Sequence, residues 1–168
     1  MTHTFNTPIG AVCLTEEGGS IIRIELTDAA GTSSAPTPLL REVEHQITAF
    51  LRGERRQLDF PIRMVGTPFQ QRVWRALQQI PYGTTRTYGE IATAIDNPRA
   101  SRAVGMACNK NPLLLIIPCH RVVGANGKLV GFAYGTDAKQ WLLELERRLI
   151  GINKAADRSL PLISSSSK

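Results

Sequence analysis

The stretch IPCHRVVG, residues 117–124, decides how this chain is interpreted. A thiol, an imidazole and a guanidinium stand in a row behind Pro118, at the end of the apolar run of residues 113–117. That run is too short for a helix and prolines bracket it, so the pattern predicts a buried strand or extended segment. Cys119 at its end is then either a core thiol or a nucleophile.

A nucleophilic Cys119 needs a partner, because the thiolate is the reactive form and a free thiol has a pKa of about 8.5. His120 is adjacent, but neighbouring side chains of an extended segment point to opposite faces. It can therefore serve Cys119 only through a bend in the chain or a bridging water, and Gly124 predicts a bend soon afterwards. A histidine base also needs an orienting carboxylate. Spacing leaves four acidic residues open for that role: Glu90, Asp96, Glu144 and Glu146.

The surroundings of Cys119 favour the nucleophile. Pro118 fixes the backbone just before it, and polar side chains surround the end of the otherwise apolar run: Asn111, His120 and Arg121. Cys13 and Cys108 have no such surroundings, and we expect both to be packing residues. Three cysteines without a CxxC spacing argue against a disulfide framework, a zinc ribbon and a thioredoxin motif.

Residues 1–63 are predicted to form a sheet and one helix. Residues 9–14 and 20–26 alternate like strands around a glycine-containing turn, and residues 39–51 carry apolar side chains at helical spacing. A further strand is predicted over residues 58–64, and residues 28–38 are loop by composition.

The second half is predicted to be mainly helical. Thr67 and Pro68 begin a helix with a capping box to Gln70. Two short helices, about 87–95 and 99–109, follow and are joined by a tight turn. This pair resembles a helix-turn-helix, although an ordinary helical hairpin fits the same pattern.

The chain is predicted to end in a helix and a tail. Residues 137–149 show helical spacing with Asp137 as the cap, and residues 151–168 are polar and Ser-rich, so we expect a flexible tail. The N-terminal residues lack the features of a secretory signal, and the longest apolar run has five residues, so we expect a cytoplasmic protein without membrane contact. The formal net charge of +6 is compatible with a polyanionic partner.

The motif of residues 118–122, PCHRV, after Asn111 and Pro112, resembles the active-site signature of O6-alkylguanine-DNA alkyltransferases. The likeness is dense over residues 67–148, and the first 63 residues agree in layout only. Five other segments resemble the family: TPFQQRVW (67–74), IPYG (80–83), TYGEIA (87–92), RAVG (102–105) and WLLELE (141–146).

The resemblance implies an α+β fold in two domains. Residues 1–64 would form a small N-terminal sheet-plus-helix domain of RNase H-like type. Residues 65–150 would form a mainly helical alkyltransferase domain, with a helix-turn-helix at about 87–109.

The resemblance also implies a reaction. Cys119 would be the alkyl acceptor in direct-reversal DNA repair, taking the alkyl group from O6-alkylguanine, and in some relatives from O4-alkylthymine, once per molecule. His120 would act as the base through a water, Glu146 would orient His120, and Asn111 would position the active-site turn. No cofactor or metal is expected, since Cys13 and the N-terminal histidines lack ligand spacing.

Double-stranded DNA carrying alkylated bases is the implied partner, bound through the minor groove by a monomer. The target base would be flipped out. Tyr88 would help to rotate the nucleotide, and Arg102, followed by Ala103, would fill the vacated stack. The other residues implied to contact DNA or the base are Arg121 and the pocket loop of Phe132, Ala133 and Tyr134.

The pocket loop departs from the family pattern. Many relatives carry Tyr-x-Gly-Gly where this chain has Phe132-Ala133-Tyr134-Gly135. Phe132 keeps an aromatic ring without the hydroxyl, and Tyr134 replaces a glycine. We expect this change to alter the tolerance for bulky O6 groups.

Three other classes of protein share part of this pattern. A cysteine hydrolase would also use a cysteine and a histidine, but the residues around Cys119 resemble no protease signature. An alkyltransferase-like lesion sensor would bind the same DNA, but such proteins lack the acceptor cysteine. A transcriptional regulator of the adaptive response would carry an additional cysteine-rich domain.

Overall fold

Three antiparallel strands open the chain in the order β1–β2–β3. They are β1 (Thr2–Thr7), β2 (Gly10–Glu17) and β3 (Ser20–Thr27). The computed structural model describes residues 1–28, 35–130 and 132–159, so most of the loop predicted over 28–38 and the last part of the predicted tail lie outside the described residues. The two predicted strands are confirmed as β2 and β3. The first strand was not predicted, because THTFNT shows little apolar alternation.

Helix α1 (Pro38–Leu51) covers the sheet and confirms the predicted helix. It begins after Thr37, whose hydroxyl accepts a hydrogen bond from the backbone N–H of Leu40 at 3.1 Å. Its inward side chains join those of β2 and β3 in one buried cluster: Leu40, Val43, Ile47, Phe50, Val12, Leu14, Ile21 and Ile24.

The segment between α1 and the next helix does not form the strand predicted over residues 58–64. It makes one parallel bridge, between Ile62 and Ile21 of β3. Pro61 has no N–H to continue a ladder, and the segment is held instead by side-chain bonds. The amide of Gln46 donates to the Asp59 carbonyl at 2.9 Å and accepts from the Asp59 N–H at 2.8 Å.

Three short helices follow: α2 (Pro68–Leu77), α3 (Tyr88–Ala94) and α4 (Ser101–Asn109). The capping box between Thr67 and Gln70 is confirmed, and a second box joins Thr87 to Glu90 at the start of α3. Trp74 of α2 is buried, and its indole N–H donates to the Ala107 carbonyl of α4 at 2.9 Å. The three helices therefore pack as one unit.

The apolar run after α4 is buried, as predicted, although it is not a regular strand. Leu113 bridges to Ile24 of β3, and the backbone of Leu115 has a φ of 75°. The chain then makes a 3₁₀ turn over Cys119–Arg121, which bends it at the cysteine itself. The bend predicted near Gly124 is also present, as a second 3₁₀ turn over Ala125–Gly127. A short parallel ladder follows, in which β4 (Arg86–Thr87) pairs with β5 (Val122–Val123).

Helix α5 (Thr136–Ser159) closes the fold and is longer than predicted. It continues through residues 151–159, which were assigned to the tail. It begins at Thr136, so Asp137 lies in its first turn rather than at the cap. No helix among the described residues is long and apolar enough to span a membrane.

One core unites the two predicted domains. The N–H of Ile24 in β3 donates to the Pro112 carbonyl at 2.8 Å, and the N–H of Leu114 donates back to the Ile24 carbonyl at 3.0 Å. The N-terminal sheet therefore holds the segment that leads to Cys119.

Candidate active site

Cys119 opens the 3₁₀ turn, and its side chain is nearly enclosed, since the residue is 5% exposed. Asn111 holds it in place. The Asn111 amide donates to the Ile117 carbonyl at 2.8 Å and to Sγ of Cys119 at 3.1 Å, and its oxygen accepts from the Leu113 N–H at 2.8 Å. The Asn111 amide thus holds both ends of the apolar run, and it also donates a hydrogen bond to the sulfur of Cys119.

Burial raises the pKa of the Cys119 thiol. The hydrogen bond from Asn111 and the charge of Lys139 act in the opposite direction but do not outweigh burial. The sulfur is therefore a thiol in the resting protein and needs a base before it can attack.

His120 lies next to Cys119 in the turn and is fully buried. Its Nε2 is 2.6 Å from Oε2 of Glu146. Because a carboxylate can only accept, Nε2 carries the proton. Burial lowers the pKa of His120, which keeps the ring neutral and leaves Nδ1 as an acceptor. Nδ1 is buried and has no hydrogen-bond partner within the described part of the chain.

Glu146 is the carboxylate that the fold brings to His120. Among the other acids left open by spacing, Glu90 accepts from the Thr87 N–H at the start of α3, and Glu144 accepts from Gln140 on the outside of α5. Asp96 is exposed in the connector between α3 and α4. Glu146, the carboxylate that the family resemblance implies, is thus the acid in hydrogen-bond contact with His120.

Arg121 completes this cluster from the other side. Its Nε donates to Oε1 of Glu146 at 2.9 Å, its Nη2 donates to Oε2 at 3.0 Å, and its Nη1 donates to the Ile80 carbonyl at 2.9 Å. The N–H of Gly83 adds a bond to Glu146 at 2.9 Å. Burial opposes the charge on Glu146, but the bonds and charges of His120 and Arg121 outweigh it and lower the pKa to about 2.

This arrangement corrects the expectation for Arg121. It was grouped with the residues that contact DNA, but its guanidinium is 7% exposed and is committed to Glu146 and Ile80. The physical reason is the 3₁₀ turn, which points Arg121 inward with His120. Its contacts make it a support of the carboxylate.

Tyr88 is the first residue of α3 and lies near the buried thiols of Cys108 and Cys119. Its hydroxyl donates to the Val130 carbonyl at 2.8 Å, and the ammonium of Lys139 donates to the same oxygen at 3.0 Å. Burial raises the pKa of Tyr88 to about 12, so the hydroxyl keeps its proton.

Lys139 was not among the predicted site residues. It is 1% exposed and faces inward from α5 together with two leucines and Glu146. The signal was present in the sequence, because residues 139, 142, 143 and 146 are spaced as one helical face. A lysine and a glutamate on a leucine-rich face predict buried charges.

The pocket loop lies beside this cluster. Phe132 is buried, and its ring meets that of Tyr134 edge to face, with centroids 5.8 Å apart. Tyr134 is half-buried between β3 and Cys119: burial raises its pKa, the charge of Glu25 and the sulfur of Cys119 add to this, and a hydrogen bond from the Leu26 backbone opposes it. Ala133 is exposed.

The predicted DNA-facing residues border an open groove. Arg102 is exposed in the first turn of α4, and Ala103 follows it with partial exposure. A groove of about 570 Å³ runs beside them, with Tyr88 and Val130 among its lining residues. The described residues contain no cluster of histidine, cysteine or acidic side chains that could hold a metal ion.

The chain is similar to known proteins over most of its length. Residues 68–148 match the family model described as 6-O-methylguanine DNA methyltransferase, DNA binding domain. The chain is 48% identical over 151 residues to a methylated-DNA–protein-cysteine methyltransferase of Methanosarcina acetivorans, covering 84% of this chain and 95% of the relative. The chain belongs to the methylated-DNA–protein-cysteine methyltransferase family.

Other members of the methylated-DNA–protein-cysteine methyltransferase family show the same agreement. The constitutive Bacillus subtilis protein is 41% identical over 154 residues, covering 86% of this chain and 93% of that protein. The crystal structure of Mycobacterium tuberculosis OGT in complex with DNA superposes with a TM-score of 0.80 at 43% identity, covering 88% of this chain and 93% of that chain. The predicted family and the mixed α/β fold are therefore confirmed.

Proposed function

We propose that this protein repairs DNA by direct reversal, moving the alkyl group of O6-alkylguanine onto Cys119. The observation that carries the proposal is the buried series of Cys119, His120 and Glu146, with Asn111 bonded to the sulfur. The names of the protein's relatives in the methyltransferase family support the reaction class.

The chemistry follows from the geometry. His120 is neutral with a free lone pair on Nδ1, so a water there can pass the thiol proton to the ring. Sγ of Cys119 then attacks the alkyl carbon and the bond from that carbon to O6 breaks. Guanine keeps the electron pair and takes up one proton from solvent, while the thiol proton stays on His120 until solvent removes it. Glu146 stabilises the imidazolium that forms, and Arg121 keeps Glu146 ionised and in place.

The reaction ends with Cys119 as a thioether. A carbon–sulfur bond of this kind, unlike a thioester, offers no carbonyl for water to attack. Among the described residues, the polar side chain bonded to the sulfur is the amide of Asn111, which is not a nucleophile. Each molecule therefore acts once.

The proposed DNA surface is the groove beside α4. In this proposal α3 and α4 act as a helix-turn-helix in the minor groove, where readout is degenerate and suits repair at any sequence. Arg102 fills the stack of the flipped base, with Ala103 beside it, and Tyr88 turns the nucleotide toward Cys119. Phosphate contacts by basic residues supply affinity, which salt should weaken.

The remaining expectations belong to the same proposal. Residues 1–64 would be an RNase H-like domain and residues 65–150 the alkyltransferase domain, in a cytoplasmic monomer that needs no cofactor or metal. Phe132, Ala133 and Tyr134 would bound the base pocket, and O4-alkylthymine would be a secondary substrate.

Intact mass spectrometry tests the proposal. The protein is mixed with a duplex carrying O6-methylguanine under reducing conditions. We expect a gain of one methyl group in place of a proton, absent in Cys119→Ser and retained in the control Cys13→Ala. Tight binding of the lesion duplex without any mass gain would overturn alkyl transfer and favour the lesion-sensing alternative.

A further inference from the structure

A recess of about 490 Å³ lies beside the 3₁₀ turn of Cys119, lined by the segment after α1, the end of α2 and the apolar run. Its volume is within the range of small-molecule sites, about 300–1,000 Å³. Pro118, before the turn, and Arg121, within it, form part of its wall. The recess shares no described lining residue with the groove beside α4, so it is a second and separate opening.

Arg56 supplies a cation at this recess. Its guanidinium lies over the ring of Tyr82, 5.3 Å from the centroid, which places it. It makes no hydrogen bond or ion pair within the described residues, whereas Arg121 on the same lining is committed to Glu146 and Ile80. Arg56 therefore keeps its donors available, and a planar guanidinium binds a phosphate through paired N–H groups.

The other polar side chains of the lining suit the edge of a base. Three are amides, which present a donor and an acceptor together: Gln57, Gln78 and Gln79. In the part of the chain that the structure describes, none of these three side chains has a hydrogen-bond partner. The acid among the described lining residues is Asp59, and a carboxylate accepts from a base amino group but repels a phosphate. The lining thus offers one position for a phosphate and another for an amino-bearing base.

We propose that this recess is a nucleotide-binding site, with the phosphate on Arg56 and the base edge on the glutamine amides and Asp59. The apolar side chains of Phe60 and Ile116, on the same lining, pack on the base. The ligand is a nucleoside monophosphate with an exocyclic amino group, either free or as an unpaired nucleotide of a single strand. The site uses no residue of the proposed DNA groove, and the inference does not depend on alkyl transfer.

Titration with 2′-deoxyadenosine 5′-monophosphate (dAMP), followed by NMR at one fixed ionic strength, tests the inference. 2′-Deoxyadenosine lacks the phosphate, and thymidine 5′-monophosphate lacks the amino group. We expect dAMP to bind with a Kd of about 1 mM or less, and each of the other two to bind about fivefold or more weakly. The backbone amide shifts should change at Leu115 and Ile116 of the recess rather than at Arg102 and Gly105 of the groove.

Arg56→Met isolates the recognition of the phosphate. In this variant dAMP should bind no more tightly than deoxyadenosine, because the cation that distinguishes them is gone. Arg52→Met removes an exposed arginine at the end of α1 and should keep the wild-type values. Gln79→Ala should weaken dAMP and deoxyadenosine alike, and it decides the case if Arg56→Met does not fold.

Three results would overturn the inference: no saturable binding of dAMP, equal affinity for dAMP in wild type and Arg56→Met, or shift changes confined to the groove. A single strand of oligodeoxyadenosine distinguishes the two sources of the nucleotide. Binding about tenfold tighter than dAMP, with the gain lost in Arg56→Met, assigns the site to a strand. A gain that Arg56→Met leaves unchanged belongs to the groove, and the free nucleotide is then the ligand of the recess.

Discussion

Oε2 of Glu146 lies 2.6 Å from Nε2 of His120, and both side chains are buried. The pair joins the middle of α5 to the 3₁₀ turn that carries Cys119. Arg121, two residues after the cysteine, holds the same carboxylate with two nitrogens. A single acidic side chain therefore both orients the base and fastens the reactive turn to the closing helix.

Replacing Glu146 should change stability in a defined pH range. Its folded pKa, about 2, is below the ordinary value of 4.5. Its contribution is therefore fully present above about pH 4.5 and is lost as the pH falls toward about 2. In Glu146→Gln we expect a loss of about 3–5 kcal/mol at neutral pH, because Arg121 stays buried without its partner. Urea unfolding at several pH values measures this, and the difference from wild type should shrink in acid. A difference that is independent of pH would contradict the assignment.

Removing the Asn111 amide should affect both fold and reaction. Asn111→Ala breaks three hydrogen bonds, to Ile117, Leu113 and Cys119. We expect destabilisation of about 1–3 kcal/mol, since groups in the turn lose their partners, and slower alkylation of Cys119. The measurements are chemical denaturation and single-turnover methyl transfer. Asn6→Ala, which removes an exposed amide of β1, serves as the control and should change neither.

Tyr134 should set the tolerance for large O6 groups. It replaces a glycine of the family pattern, packs edge to face on Phe132 and lies between β3 and Cys119. We expect Tyr134→Gly to change the ratio of single-turnover rates for O6-benzylguanine and O6-methylguanine in DNA, because the loop loses its support from β3 and the pocket gains space. Equal ratios in wild type and variant would rule out this role. Tyr134→Phe, which keeps the ring, should resemble wild type.

Arg102 should matter for the duplex and not for a free base. Its side chain is exposed at the start of α4, away from the buried cluster of Glu146. We expect Arg102→Ala to slow repair of duplex DNA by about tenfold or more, because unstacking a base without filling the gap costs free energy. The rate with free O6-benzylguanine should be unchanged. Arg99→Ala, which removes an exposed arginine of the connector just before α4, provides a control. Equal losses on both substrates in Arg102→Ala would contradict a flipping role.

The sequence alone predicted the parts of the fold whose signals are local, and the roles of the site residues stay predictions from the family resemblance. The capping box of Thr67 and Gln70 is a four-residue pattern, and the helix stripe of residues 39–51 needs no tertiary information. By contrast, the 3₁₀ turn at Cys119 is held by distant contacts to Asn111 and Glu146, so the local pattern predicted only the second bend, the one after Gly124. The partner of His120 was open among four acids for the same reason.

The errors have related physical causes. Residues 58–64 alternate like a strand, but Pro61 interrupts the ladder and the neighbouring edge of β3 is shared with Leu113. Residues 151–159 look like a tail by composition, yet α5 is already nucleated by its buried face and extends through them. Arg121 was expected to contact DNA, and Lys139 was not among the predicted site residues. Both side chains are buried, and the burial of a charge depends on partners that sequence spacing does not specify.

The short ladder between β4 and β5 couples the two tasks of this protein. Thr87 ends β4 and caps the helix that begins with Tyr88, while Val122 and Val123 of β5 directly follow the reactive turn. β4 thus leads directly into the helix that would turn a nucleotide, and β5 directly follows the turn that would accept its alkyl group, so the two paired strands hold these elements side by side. Transfer of this site to another scaffold would have to include residues 84–90 and 117–123 together, with the same strand register. The pairing of β4 with β5 holds the two segments in their relative positions.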